Sequence, residues 1–300
     1  MAGAFTVVNL SQLAAPDAVE TLDFESILSA MVADLVARAP EFSALVESDP
    51  AYKVMEVCAY RELLVRQRAN DAVRAVMVAF AKGSDLDQIG ANFNVARLLV
   101  TPADPTTIPP TPAVYESDDE YRARIPLSLE GYTTAGSEGS YVYHGLSAHG
   151  SIKDVAAVSP SPGQVTVYVL SRDGDGTASS EILSAVTADL NSDRVRPMTD
   201  LVTVQSASIV NYTITAELVL YPGPDASVVQ AAAQAALQQY ADDVHRIGYD
   251  VSLSGLYQAL HQPGVQRVNL TDPVANISVS EGQAAYCAGI TLTVASGTDV

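Results

Sequence analysis

Apolar positions recur at helical spacing through most of the first hundred residues. Phe24, Ile27, Leu28, Met31, Val32 and Leu35 share one face of a predicted helix, with Asp23 placed to cap it and Pro40 to stop it. After the turn at Ser48-Asp49-Pro50 the spacing predicts one long helix from Ala51 to Ala81, closed by Lys82-Gly83 with the glycine as a left-handed cap. At about 1.5 Å per residue such a helix reaches roughly 45 Å. Its apolar positions, Val54, Val57, Cys58, Leu64, Val65, Ala72, Val73, Val76, Met77 and Phe80, cover more than the narrow seam of a two-helix pair. A helix with so broad a stripe should touch more than one partner. A shorter helix is predicted over 84–90, with Ser84 or Asp85 as its cap.

The pattern then changes. Pro102, Pro105, Pro109, Pro110 and Pro112 fall within eleven residues, which removes backbone donors and favours an extended path acting as a semi-rigid spacer. Beyond it, Ser117 or Asp118 caps a predicted helix through Tyr121 and Ile125, and the turn at Thr134-Ala135-Gly136-Ser137 caps another through Tyr141 and Leu146. Strands are expected over 152–158 and 164–170, a helix from Ser179 to Asn191 with Ile182, Leu183, Val186 and Leu190 inward, and a strand over 201–205. A similar order follows: a strand from Tyr212 to Tyr221, the turn Pro222-Gly223-Pro224, Asp225 as cap, and an Ala-rich helix from Val228 to Tyr240 burying Val229, Ala233, Leu237 and Tyr240. A short helix at 254–261, a strand at 265–271 and a final pairing of 276–279 with 289–294 complete it. The expected fold class is α+β: a helical arm over 1–100, a proline-rich linker over 101–114, and two small α+β domains over 115–208 and 209–300.

Charge narrows the function. The chain carries 35 acidic and 16 basic side chains, a formal net charge of −19, which argues against binding to nucleic acid or to an anionic membrane and favours protein partners. Six of the 16 basic residues, Lys53, Arg61, Arg66, Arg68, Arg74 and Lys82, lie on or at the end of the long helix. Residues 1–52 hold eight acids and one base, Arg38. Two readings stay open: an acidic arm pairing with a basic helix within or between copies, or a solvated helix face offset by its local acids Glu56, Glu62 and Asp71. No apolar run of about 18 residues occurs, and residues 1–13 lack the basic and apolar regions of a secretory signal. Cys58 and Cys287 sit in no CxxC or Cys/His cluster; a disulfide between them and two reduced thiols are both open, the latter being simpler. Trp is absent and Tyr numbers 14, so a binding surface would rely on Tyr for large amphipathic contacts.

Candidate chemistry fails on spacing. An EF-hand calcium loop started at Asp173 of the Asp173-Gly174-Asp175-Gly176 run needs Gly and Glu where Ala178 and Ser184 stand, so a tight turn is the expectation. His144 and His149 lie five apart, too wide for two ligands on one helical face, and His245 and His261 repeat no ligand spacing. No GxGxxG, GxxxxGK[ST] or GxSxG occurs. Asp118-Asp119-Glu120 and Asp242-Asp243 are adjacent acids rather than carboxylates facing across a cleft, and the first run suits a helix N-terminus. No catalytic, cofactor or metal residue is assigned, and the chain is expected not to be an enzyme.

Several segments, taken in order, resemble the baseplate J-like family of contractile tails. They are Glu47-Ser48-Asp49-Pro50, the long helix with Arg61-Glu62 and Arg66, Leu86-Asp87-Gln88-Ile89-Gly90-Ala91 running to Val95-Ala96-Arg97, and Asp118-Asp119-Glu120-Tyr121-Arg122-Ala123-Arg124-Ile125. Ala135-Gly136-Ser137 with Tyr141, the strand over 165–170, Arg196-Pro197-Met198-Thr199-Asp200, and Pro263-Gly264-Val265 continue it over roughly residues 20–275, with the two ends matching less well. The resemblance implies a structural baseplate wedge subunit of a phage tail or related contractile injection particle, assembled in the host cytoplasm into a ring around the tail tube that rearranges on sheath contraction. Implied partners are other copies of the chain, a tail protein I-like wedge protein, and sheath-initiator-like and tube or hub proteins. It also makes Val54, Val57, Arg61, Leu64, Val65, Arg68, Ala72, Val76 and Phe80 candidates for an inter-subunit helix. The alternatives are a glycan- or small-molecule-processing enzyme built on the α+β domains and a free-standing binding module.

Overall fold

The computed structural model describes residues 10, 13–133, 135–223 and 225–295, so parts of both chain ends, Thr134 and Pro224 lie outside the described residues. The chain divides into two compact units. One holds the described residues up to Arg97 together with Asp118–Ile125, and the other holds Leu98–Ser117 and the chain from Pro126 onward. Asp118–Ile125, expected at the head of the first α+β domain, therefore belongs with the helical unit.

In the helical unit, α1 (Phe24–Arg38) starts as the sequence predicts, with the Asp23 carboxylate accepting from the Ser26 N–H at 2.8 Å. It packs Ile27 and Leu28 on Ala59 of α2 (Pro50–Ala75), flanked by Met31, Val32, Tyr52, Met55 and Leu63. Helix α2 ends six residues short of the predicted Ala81 and is about 39 Å long. Residues 76–80 form turns, with Ala81 N–H bonded to Met77 O. Val76 therefore caps the helix and Phe80 lies beyond it. Gly83 takes the left-handed conformation foreseen for it, φ +51°, but opens α3 (Gly83–Asn92) instead of closing α2.

Residues 99–115 do not run extended. β1 (Leu99–Thr101) pairs antiparallel with β2 (Val114–Tyr115), and Asp104 and Thr111 exchange backbone bonds of 2.9 and 3.0 Å between them, so the proline-rich segment folds back as a hairpin arm. Its base lies against Gly150, where a Cβ would come within 2.0 Å of Leu99 O. Side chains of the segment tie it back locally: Asp104 accepts from Thr106 N and Oγ1, and Thr107 Oγ1 accepts from Thr111 N and donates to Asp104 O.

After α4 (Asp118–Leu127), the helix α5 (Glu138–Ser147), capped by Ser137, leads into β3 (Ile152–Ser161) and β4 (Gln164–Ser171), an antiparallel pair. The Asp173–Gly176 run is the expected tight turn, with Asp175 accepting from Thr177 N–H and Gly174 and Gly176 at positive φ. Helix α6 (Ser180–Leu190) then crosses over so that β5 (Leu201–Ser206) pairs parallel with β4. The core of this layer is Tyr141, Val155, Val167, Val169, Ile182, Val186 and Leu190.

β6 (Ser208–Leu220) alternates outward and inward residues through Tyr212, Ile214, Ala216 and Leu218, which bury against α7 (Ala226–Val244) and α8 (Leu253–Leu260) through Val229, Ala233, Leu237, Leu256 and Leu260. β7 (Val265–Asp272) pairs antiparallel on one side of β6. The predicted pairing of 276–279 with 289–294 does not form. Instead β8 (Gln283–Val294) lies parallel along the other side of β6, from Ser208↔Gln283 to Leu218↔Val294 with one register shift between Tyr212 and Thr213. The apolar face of β6 runs its whole length, so a long third strand buries more than a short hairpin would.

The two sheets share a seam. Leu170, Ala207, Ile247 and Ala284 bury together, and Asp154 accepts from Val155 N–H at 3.0 Å and Ile247 N–H at 2.9 Å. His245, nearly buried, donates from Nδ1 to Ala285 O at 2.7 Å, faces Gly176, and has Lys153, Asp242 and Asp175 around it. Burial lowers the His245 pKa from 6.5, against the pull of the Ala285 carbonyl, so the folded chain binds fewer protons than the unfolded one and loses stability as pH falls through 6.5. Burial raises the Asp154 pKa from 3.8 despite its two N–H donors, which works the other way: that contribution is lost as pH rises from 3.8. His245→Asn keeps a donor for Ala285 O and removes the titration. Urea midpoints measured from about pH 7 to 5 should fall less steeply in this variant than in the parent, and an unchanged slope would assign the acid sensitivity to another group.

Candidate inter-subunit interface

A clasp from α4 fixes the turns that follow α2 and α3. Tyr121 Oη donates to Val95 O at 2.7 Å, Arg122 Nε to Val78 O at 2.9 Å and Nη2 to Ala81 O at 2.7 Å, and Arg124 Nη2 to Ala96 O at 2.6 Å. These carbonyls belong to the turns after α2 and after α3. Carbonyls that follow a helix end lack intrahelical donors, and Arg122 supplies charged ones to Val78 O and Ala81 O. Asp118 completes the clasp: Oδ2 accepts from Gly83 N–H at 3.0 Å, where no residue of α3 itself provides a side-chain cap, and Oδ1 accepts from Arg97 Nη2 at 2.8 Å. The Gly83 bond holds the Asp118 pKa below its usual value although burial opposes it. Burial also opposes the Arg97 charge, but bonds to Asp87 and Asp118 outweigh it and raise its pKa. The Arg97 guanidinium lies 4.6 Å from the Tyr121 ring centre. Gly90 is required here, because a Cβ would stand 1.8 Å from Tyr121 Oη.

With α1 on one side, α2 turns Val54, Val57, Cys58, Arg61, Leu64, Val65, Arg68 and Ala72 to the other. Val54, Val57 and Val65 are 63, 63 and 68 % exposed, and Leu64 is 41 % exposed. Tyr60, 54 % exposed, borders this stripe and is a residue the sequence reading missed, since an aromatic ring carries no mark of outward placement until the inner face is known. Of the candidate residues, the structure keeps Val54 through Ala72 on one continuous face. It moves Val76 to the cap and Phe80 into a turn, half-buried beside Met77.

The basic side chains divide. Lys53 pairs with Glu56, which raises its pKa, and Arg66 pairs with Glu62 at 3.0 Å, so local acids offset much of the face as the second charge reading holds. The acidic segment contributes one cross-segment pair, Arg66 to Glu20 at 3.5 Å, beside Asn70, whose side chain exchanges hydrogen bonds with the Glu20 backbone. Among the described residues, Arg61 and Arg68 have no acidic partner. The outward stripe is thus apolar with two unpaired cations.

Other singled-out residues have structural places. Tyr141 Oη donates to Asp200 Oδ2 at 2.8 Å, and burial followed by that carboxylate raises the Tyr141 pKa. Gly136 lies against Pro197 and Asp200, so two segments far apart in sequence lock together. His144 lies 3.2 Å from Gly131 O, His149 accepts from Ser151 N–H, and Gln238 and Gln239 donate to Asp242 and Asp243. Both cysteines are free. Among the described residues, no three His, Cys, Asp or Glu side chains gather where a metal could bind, and no helix is long and apolar enough to cross a membrane.

Three successive domain families match the chain: Baseplate J-like N-terminal domain over residues 47–104, Baseplate J-like central domain over 133–206, and Baseplate J-like protein C-terminal domain over 212–293. The chain belongs to the baseplate J-like family. Baseplate protein J of Escherichia phage P2 is 52% identical over 288 residues, which cover 94% of this chain and 95% of that one. A chain of the anti-feeding prophage baseplate aligns at 17% identity and a TM-score of 0.41, covering 59% of this chain; this chain spans 44% of that one.

The clasp makes a testable claim about α2. Arg122→Met leaves Val78 O and Ala81 O without their charged donor and should cost roughly 1.5–3 kcal/mol in urea unfolding, with faster hydrogen exchange over 76–97. Tyr121→Phe should cost about 1 kcal/mol, and Gly90→Ala more than that, because the ring itself must move. Equal stability of Gly90→Ala and the parent would contradict the close approach.

Proposed function

We propose that this structural tail-baseplate protein meets neighbouring subunits through the outward face of α2. The observation that carries the reading is the exposed run Val54, Val57, Leu64 and Val65 on a helix whose opposite face is already buried against α1. Large apolar side chains aligned on one face mark an interaction surface more strongly than the same residues scattered. The unpaired Arg61 and Arg68 favour an acidic partner face, which a protein of net charge −19 and its own copies supply in abundance. The protein assembles with other baseplate components. In the finer reading those components are further copies of the chain, a tail protein I-like wedge protein, and sheath-initiator-like and tube or hub proteins.

Magnitudes limit what this face can do alone. Full burial of four such side chains contributes roughly 6–12 kcal/mol, while association costs about 4–15 kcal/mol. One helix face is therefore marginal as the sole contact, and a ring that holds before firing and regroups on sheath contraction needs several contacts, some of which exchange. The role is mechanical, and the family it belongs to is structural, which speaks against the enzyme and free-standing module alternatives.

Two experiments test the reading. Particles made without this chain should lack complete baseplates and contractile tails under the electron microscope; normal tails would sink it. Val57→Asp with Val65→Asp changes exposed positions only, so the purified chain should unfold within about 0.5 kcal/mol of the parent while tail yield collapses. Parent-like yield would move the interface off α2.

A further inference from the structure

The hairpin arm is ordered without a core of its own. Nearly every residue over 101–112 is exposed, Ile108 completely, yet Asp104, Thr106, Thr107 and Thr111 bind one another in a closed network of bonds between 2.6 and 3.1 Å. A segment fixed in this way has already given up the freedom that binding would otherwise remove. Its composition is as unusual as its order. Over 99–115 the single charged residue is Asp104, whose carboxylate is engaged by Thr106, and the tip presents Ile108, Pro109 and Pro110.

The chain also carries a surface of matching chemistry. Leu10, Leu13, Ala14 and Pro16 face Met77, Val78, Ala79 and Phe80 across a shallow depression of about 450 Å³, with no charged side chain among the described residues of its lining. It is built from the turns that replace the last part of the predicted helix, and it contains Phe80, one of the residues assigned to an interface from the sequence. Copies of a chain with net charge −19 repel over most of their surfaces, so contact between copies is least opposed where both faces are uncharged.

We propose that the arm tip of one copy, Ile108 with Pro109 and Pro110, seats in the Leu13–Phe80 depression of a neighbouring copy. The two patches differ, so the contact is head-to-tail: repeated, it generates a ring where the rotation closes. It supplies a second contact alongside the α2 face, and it rests on the reading that several copies stand together in the baseplate. Neither patch bears a titratable group at the point of contact, so the pairing is insensitive to salt, unlike one built on Arg61 and Arg68.

The test uses whole tails produced from the full set of tail genes, with p-benzoylphenylalanine in place of Ile108. Irradiation should convert the chain to a dimer on a denaturing gel, with the adduct mapped by mass spectrometry to residues 13–16 or 77–80. An adduct on another tail protein, an adduct within one chain, or intact tails without adduct would each overturn the proposal while leaving the structural role standing. If the probe blocks assembly, a charge exchange decides. Ile108→Asp should lower tail yield about tenfold or more, as loss of roughly 1.4 kcal/mol per contact does, and Ala79→Lys should restore it; failure to restore rejects the contact.

Discussion

Three side chains within one turn of α4, Tyr121, Arg122 and Arg124, hold the helical unit in its shape by donating to the carbonyls of Val95, Val78, Ala81 and Ala96. Buried carbonyls at helix ends must find donors, and guanidinium groups reach several from one position. The consequence is a set path for the turns behind α2 and α3. The uncharged depression beside Phe80 is built from the first of those turns.

Polar groups elsewhere in the chain act by the same logic. Tyr141 and Asp200 lock the start of α5 to the turn before β5, Asp154 in the first sheet accepts from Ile247 N–H beside the second, and His245 after α7 bonds Ala285 O of β8. In each case a polar side chain is committed to a backbone partner or to another side chain of the scaffold. Their value to a mechanical protein is stiffness: force applied to one layer passes to the next through bonded seams.

The exposed surface shows the opposite economy. The α2 stripe, the arm tip and the depression leave apolar area open to water, which an isolated chain has no reason to keep. The chain belongs to the baseplate J-like family, and the contacts proposed above would cover that area. A net charge of −19 disfavours close approach of copies over the acidic surface that remains.

Local chemistry was legible in the sequence. Asp23 and Asp225 cap helices as their spacing foretells, the Asp173–Gly176 run turns, and the alternation in β6 and the Ala-rich repeat of α7 declare their inner faces. The candidate stripe from Val54 to Ala72 was also visible, because helical periodicity groups residues by face, although it does not say which face is covered. Long-range partners were not legible. Nothing near Ala75 announces that a side chain 47 residues on, Arg122, takes the carbonyls beyond it. Nothing in five prolines announces a hairpin, since the bonds that Asp104 and Thr107 accept from Thr106 and Thr111 exist only after the chain has turned. The parallel course of β8 beside β6 likewise depends on an apolar face that exists only once α7 and α8 have packed. Helix caps, turns and periodic faces are decided within a few residues; the path of the turns between helices, strand partners and exposure are decided by which distant groups arrive to satisfy what local structure leaves open.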